Sequence, residues 1–209
     1  MPAMNGSNRI QGKHCCLDSS EYQIDDSWRQ ELVTYFDNKL PLVIDLLKNN
    51  RCPECIYIFT RKDNCKPGKY DVDKMQFTPN PKNEYCVSRG NKGFLIHEAA
   101  HFVQNYGQIY FHERNHWAAE GIADYARIKL GWDNTDRPEY PCQQKHAYNG
   151  CSRCAADFLT WINQRFFNND FIVKLNKALQ DNQSIDSFIK DSLNTTIEDL
   201  YLEYLNKNA

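Results

Sequence analysis

The stretch that most constrains this chain is Gly93-Phe94-Leu95-Ile96-His97-Glu98-Ala99-Ala100-His101-Phe102, a His-Glu-x-x-His motif set among apolar residues. The apolar flanks predict a buried helix. On a helix His97 and His101 stand one turn apart on the same face, so both imidazoles reach a common point without bending the backbone. A buried polar group without a partner costs roughly 2–7 kcal/mol, and a metal ion held by the two rings would supply that partner. Glu98 lies beside His97, where its carboxylate meets a water in an open coordination position. Neutral nitrogens on a metal, a polarised water and a base to take its proton are what zinc-assisted hydrolysis requires.

A second stretch completes the set: Trp117-Ala118-Ala119-Glu120-Gly121-Ile122-Ala123-Asp124-Tyr125-Ala126-Arg127. Glu120 offers an oxygen as third ligand. Asp124, one turn later, faces the same way and accepts the free ring N–H of a ligand histidine, which fixes its tautomer. A lone glutamate on an amphipathic helix is usually solvated, but the company of the first motif favours ligation. The spacing from His101 to Glu120 lets the first helix end, a loop turn back and a second helix pack antiparallel beside it. Gly121, lacking Cβ, is expected to let those two helices approach closely. His112 and His116 precede the second helix and read as polar loop residues, with extra site residues as the alternative.

A length of 209 residues suits one domain with a sizeable core. The boundaries read as a flexible leader over 1–24 and a catalytic domain over 25–209. A net charge of −2 and a pI near 6.3 point to neither nucleic acid nor an anionic membrane, and no apolar run approaches the ~20 residues of a membrane span. A monomer is expected. The nine cysteines (Cys15, Cys16, Cys52, Cys55, Cys65, Cys86, Cys142, Cys151 and Cys154) and the Asn-x-Ser/Thr sequons at Asn182 and Asn194 favour an oxidising compartment. They predict a mature secreted domain without its signal peptide, cross-linked by disulfides with one thiol left over. The competing arrangement joins Cys52-x-x-Cys55 and Cys151-x-x-Cys154 in a structural zinc site, across a gap much longer than a compact zinc ribbon uses.

Elsewhere the periodicities give a coarse layout. Asp25 or Asp26 caps a helix with an apolar stripe of Trp28, Leu32, Tyr35 and Phe36, and Pro41 restarts a second short helix. Ile56-Tyr57-Ile58-Phe59-Thr60 is the clearest strand, Tyr70 to Phe77 a second and Tyr85-Cys86-Val87 a third. Asn91 is the expected cap of the metal helix and Gly131 the end of the next one. Asp133 to Gly150 is a long loop of the kind that shapes a substrate cleft. Helices follow over Ala155 to Phe167, from Phe171, from Ser184 and from Thr195. Strands followed by helices predict an α+β fold, with a small N-terminal sheet over the active-site helix and a helical C-terminal half.

The residues quoted above resemble the basic secretory protein family of zinc peptidases from plants and microbes, and more broadly the gluzincin branch of the zincin metallopeptidases. Beyond the metal motifs, Ala156-x-Phe158-Leu159-x-Trp161, Phe171-Ile172-x-x-Leu175-Asn176 and Ile197-x-x-Leu200-x-x-x-Tyr204 echo that family's C-terminal half. The likeness spans roughly Ile56 to Tyr204. It implies a zincin-like domain, a Zn²⁺ held by His97, His101 and Glu120, and a peptide or protein substrate. Glu98 then acts as general base, and a further donor stabilises the oxyanion, with Tyr148, His146, Tyr125 and His116 as candidates and Tyr148 the one singled out. The chain departs from the family in three ways. It is not basic, it is richer in cysteine, and Cys151-Ser152 stand where the family has Gly-Tyr. Other classes consistent with the motifs are a zinc hydrolase of non-peptide amides or glycoconjugates, a secreted module with purely structural zinc, and a retired peptidase used as an effector or inhibitor.

Overall fold

The computed structural model describes residues 8–20, 22–49, 55–60, 69–71, 74–77, 92–106, 113–130, 148–166 and 170–208. The expected strand at Tyr85-Cys86-Val87, the Asn91 cap, His112, Gly131 and His146 lie outside them. The described chain is α+β and mostly helical. It runs β1 (Arg9–Gln11), β2 (Cys15–Asp18), α1 (Asp26–Leu47), β3 (Ile56–Thr60), β4 (Lys69–Asp71), β5 (Lys74–Phe77), α2 (Gly93–Gln104), α3 (Glu113–Leu130), α4 (Ser152–Phe166), α5 (Phe171–Gln180), α6 (Ile185–Leu193) and α7 (Ile197–Asn208).

The strands form one mixed sheet in the order β1-β2-β3-β5-β4. β2 and β5 flank β3 in parallel, while β1 and β4 close the two edges antiparallel. The strand expected at Ile56–Thr60 is present, and its side chains alternate: Ile56, Ile58 and Thr60 point inward, and Tyr57 points out. Cys15 and Leu17 stand opposite Ile56 and Ile58 and share their buried face. Two expectations change here. Residues assigned to a flexible leader include β1 and β2, because Cys15 and Leu17 supply apolar side chains that the inner face of β3 needs. The expected second strand at Tyr70 to Phe77 is divided into β4 and β5, which pair with each other.

α1 is a single helix of 22 residues with Pro41 inside it, where a break was expected. Proline removes one backbone hydrogen bond and crowds the carbonyl four residues back. Here Pro41 is on the exposed side of the helix between buried Leu40 and buried Val43, so solvent can serve the freed Asp37 carbonyl. The apolar stripe of α1 holds the helix through that defect. Asp25 caps its start by accepting from the Trp28 amide, and Lys48 ends it in the left-handed conformation. α1 carries the sheet on one side and α2 on another, so the sheet reaches the metal helix largely through α1.

The helices converge on one core that includes Phe36, Phe102, Phe158 and Phe171, all fully buried. Buried amides meet the helix ends that point into it. The Asn176 side chain donates to the Leu47 carbonyl at 3.2 Å and accepts from the Tyr106 hydroxyl at 2.7 Å. Asn163 accepts from the Ile172 amide, and Asn115 from the Ile185 amide, each at 3.1 Å. Asn49 donates to the Val103 carbonyl. Terminal groups that helices leave unpaired are thereby satisfied inside the core.

Of the nine cysteines, Cys15, Cys16, Cys55 and Cys151 carry free thiols, more than the single one expected, and Cys154 is disulfide-bonded. Cys52, Cys65, Cys86 and Cys142 lie outside the described residues. Cys15 is fully buried with its Sγ toward Asp37, and burial followed by the charge of Asp37 pushes its pKa well above the thiol range. It packs as a small apolar side chain. Among the described residues no helix is long and apolar enough to cross a membrane.

α3 and α4 approach each other closely at Gly121. A Cβ on Gly121 would stand 2.7 Å from Ala155 Cβ and 2.9 Å from Leu159 Cδ1. Gly121 thus serves the approach of α4, where an approach between α2 and α3 was expected. Gly121→Ala gains up to about 1 kcal/mol of helix propensity, but forces α3 and α4 apart at a cost of about 1–3 kcal/mol. We expect net destabilisation in urea unfolding, and a raised midpoint would show that the two helices have room to part.

Candidate metal centre

α2 and α3 pack side by side and bring the two sequence motifs to one place. α2 is buried over nearly its whole length, as its apolar composition demands. His97 and His101 face the same way, with their Nε2 atoms 3.2 Å apart. Glu120, a residue of α3, sets Oε2 at 3.3 Å from His97 Nε2 and Oε1 at 3.4 Å from His101 Nε2. These three residues are the one set of three or more His, Cys, Asp or Glu side chains, among those described, whose ligand atoms lie within 4.8 Å of one another. The cysteines form no such group there.

The donor set fits a tetrahedral ion. With bonds of ~2.1 Å to nitrogen and oxygen, such an ion holds its ligands about 3.4 Å apart. The separations between the two rings and the carboxylate match that edge. Two nitrogens and one oxygen also suit a borderline cation.

Each ring is held from behind. His97 Nδ1 is 2.8 Å from Asp124 Oδ1, the contact the sequence assigns to Asp124. Asp124 is itself buried; its other oxygen accepts from Ser152 Oγ at 3.0 Å, and Arg127 Nη1 stands 3.7 Å from Oδ1. Phe94 stacks on the His97 ring with centroids 5.7 Å apart, and Arg127 covers the Phe94 ring at 5.8 Å. His101 Nδ1 meets a different partner, the Gln104 side-chain oxygen at 2.7 Å. Gln104 and Ser152 belong to no motif. Only a polar residue one turn after His101, at the end of an otherwise apolar helix, hints at the first. Nothing local hints at the second, which arrives from α4.

The electrostatics follow from burial and from these partners. Burial opposes a charge on His97, but Asp124 and Glu120 overcome it and push its pKa up to about 10. Burial, then the neighbouring His97, drive His101 down to about 4. Burial resists ionisation of Asp124, yet the bonds from His97 and the nearby Arg127 leave its pKa below the ordinary value. Glu98 is buried and is pushed up to about 7 by desolvation, with His97 opposing and Glu120 adding to the rise. The pair of rings therefore favours one charge over two.

Other expected site residues divide. His116 Nε2 is 3.7 Å from Glu120 Oε1 and about half exposed, at the mouth of the cluster but outside the three-ligand group. The Tyr148 ring packs against Trp117 at 4.7 Å, Tyr201 at 5.1 Å and Phe158 at 5.4 Å. Tyr125 is buried on α3.

Removing the carboxylate behind His97 tests the centre directly. Asp124→Ala is expected to weaken metal binding about 10–100-fold. Competition with a chromophoric chelator, using zinc as the probe, reads it, and an unchanged dissociation constant would remove Asp124 from the centre.

No curated protein matches the chain. A family model described as "Peptidase of plants and bacteria" matches residues 75–204, a span that contains α2, α3 and every residue of the cluster. That match covers well over half of the chain, and the chain belongs to this family, the basic secretory protein family of peptidases.

Proposed function

We propose that the protein is a zinc-dependent peptidase that cleaves peptide bonds, with His97, His101 and Glu120 as the ligands of the ion and Glu98 as the general base. The observation that carries this reading is the convergence of the two imidazoles and the Glu120 carboxylate at tetrahedral spacing, with Glu98 buried next to His97. Family membership supports a peptide or protein substrate. When bound, zinc supplies a Lewis acid for the scissile carbonyl and brings the pKa of a coordinated water toward ~7.

The chain's own residues do the rest. Glu98 takes a proton on its carboxylate and passes it to the leaving amine. Asp124, fixed by Ser152 and Arg127, keeps the proton of His97 on Nδ1 and its Nε2 directed inward. A group of three ligands supports a centre that leaves a coordination position for chemistry, where a structural zinc site is closed by four. The surrounding zincin-like arrangement, with the motif helix between α1 and α3, belongs to the same proposal.

The oxyanion donor is to be chosen between Tyr148 and His116. His116 stands at the mouth beside Glu120. Tyr148 is tied through Trp117 to the helix that carries Glu120. Loss of an oxyanion donor costs about 10²–10³ in kcat, so Tyr148→Phe and His116→Ala separate the two.

We extend the proposal to a secreted monomer. The cysteine content and the sequons at Asn182 and Asn194 support export; both asparagines are exposed, at the ends of α5 and α6.

The decisive experiment is digestion of a diverse peptide library with and without chelator, read by mass spectrometry. Cleavage that the chelator stops and zinc restores is the expected result. Glu98→Gln should keep zinc and lose at least about 10²-fold in turnover, whereas His101→Ala should lose the metal by elemental analysis. Full activity of Glu98→Gln would exclude Glu98 as the base.

A further inference from the structure

The two ligand rings are backed by chemically different partners, a carboxylate behind His97 and an amide behind His101. The amide's orientation is fixed. Gln104 Nε2 is 2.8 Å from the Ala119 carbonyl oxygen, which only accepts. The NH₂ group must therefore face Ala119, and Oε1 must face His101. An amide oxygen accepts and never donates, so His101 Nδ1 carries the proton. Its Nε2 lone pair is then directed at the point shared with His97 and Glu120.

The residue has no freedom to do otherwise. Gln104 is almost completely buried and is the last residue of α2. Its backbone carbonyl accepts from the Gln180 side chain at 2.9 Å, and the next residue, Asn105, turns left-handed and donates back to the His101 carbonyl at 3.1 Å. A glutamine that only joined two helices would need the Ala119 bond alone. Here the same amide grips a ligand ring with one atom and, with the other, the carbonyl of the residue that precedes Glu120 in α3. It thereby couples the angle of one ligand to the position of another.

We propose that Gln104 is a positioning residue of the metal centre, which holds His101 as the neutral Nδ1–H tautomer and sets the register at which Glu120 meets it. The proposal rests on the metal site of the reading above, although not on its peptidase chemistry. The amide also divides the labour behind the ligands. Asp124 lends negative charge to His97, while Gln104 orients His101 without adding a second one. That leaves the centre less neutralised than two carboxylates would.

The test uses Gln104→Leu, which keeps approximate volume and removes both bonds, with Gln104→Glu beside it. In the chelator-treated wild type, ¹⁵N NMR of the His101 ring should show the proton on Nδ1. In Gln104→Leu the proton should move wholly or partly to Nε2, and zinc affinity should fall about 10–100-fold by chelator competition. Gln104→Glu, which again places an oxygen against Nδ1, should recover at least part of that affinity. An Nε2–H tautomer in the wild type overturns the proposal without any variant, so a Gln104→Leu protein that fails to fold does not shield it. A Gln104→Leu protein that folds and binds zinc within twofold of wild type overturns it as well. Failure of the wild type to bind zinc would instead sink the metal reading, and the tautomer measurement would still decide the role of Gln104.

Discussion

Two imidazoles and a carboxylate held within 3.4 Å of one another, in the interior of the protein, are the constraint on which the rest of this structure depends. Polar groups so placed are unfavourable unless each is bonded and a cation is available to the set. The surroundings meet that demand in layers. The rings are backed by Asp124 and Gln104, Asp124 by Ser152 and Arg127, and Gln104 by the backbone of α3. Together these layers draw on α2, α3 and α4, which is why the centre cannot be assembled from α2 alone.

The packing can be understood from the same demand. α2 is buried on nearly all sides, so α1, α3 and the carbonyl-capping amides of α5 must enclose it. α3 carries Glu120 and Asp124 toward α2 while its Gly121 admits α4. The contact with α4 in turn brings Ser152 to Asp124. A single residue without a side chain, next to the third ligand, therefore contributes to holding a residue behind the first. The ligand geometry and the helix packing are one problem, and a change at the α3–α4 contact is felt at His97 through Asp124.

What the sequence discloses is whatever repeats at a fixed local spacing. His97, Glu98 and His101 follow from one helical turn, and Glu120 with Asp124 from another. The structure brings them together because turn spacing is independent of tertiary context. β3 was legible from its unbroken run of β-branched and aromatic residues. Contacts made across the fold left no such trace. Ser152 touches Asp124 from 28 positions away, and Gln104 reaches Ala119 from 15. Pro41 is a clear local signal that tertiary packing overrode, since the buried stripe of α1 outweighs one lost bond on the solvent side. β1 and β2 were concealed in polar sequence because each is short, and only their pairing with a neighbour makes them strands.

The family resemblance leads one to expect a tyrosine where Ser152 stands, and the two hydroxyls reach differently. A tyrosine hydroxyl stands at the end of a long rigid ring, whereas a serine hydroxyl stays close to the backbone and bonds what lies beside it. At the first turn of α4 that neighbour is Asp124, and the hydroxyl is used to fix a carboxylate behind a ligand. A group that donates to Asp124 at 3.0 Å has its proton directed at that carboxylate. Under the proposed peptidase reading, stabilisation of a developing oxyanion is left to a longer side chain. The two that the structure associates with α3, His116 directly and Tyr148 through Trp117, both attach to the helix that supplies the third ligand.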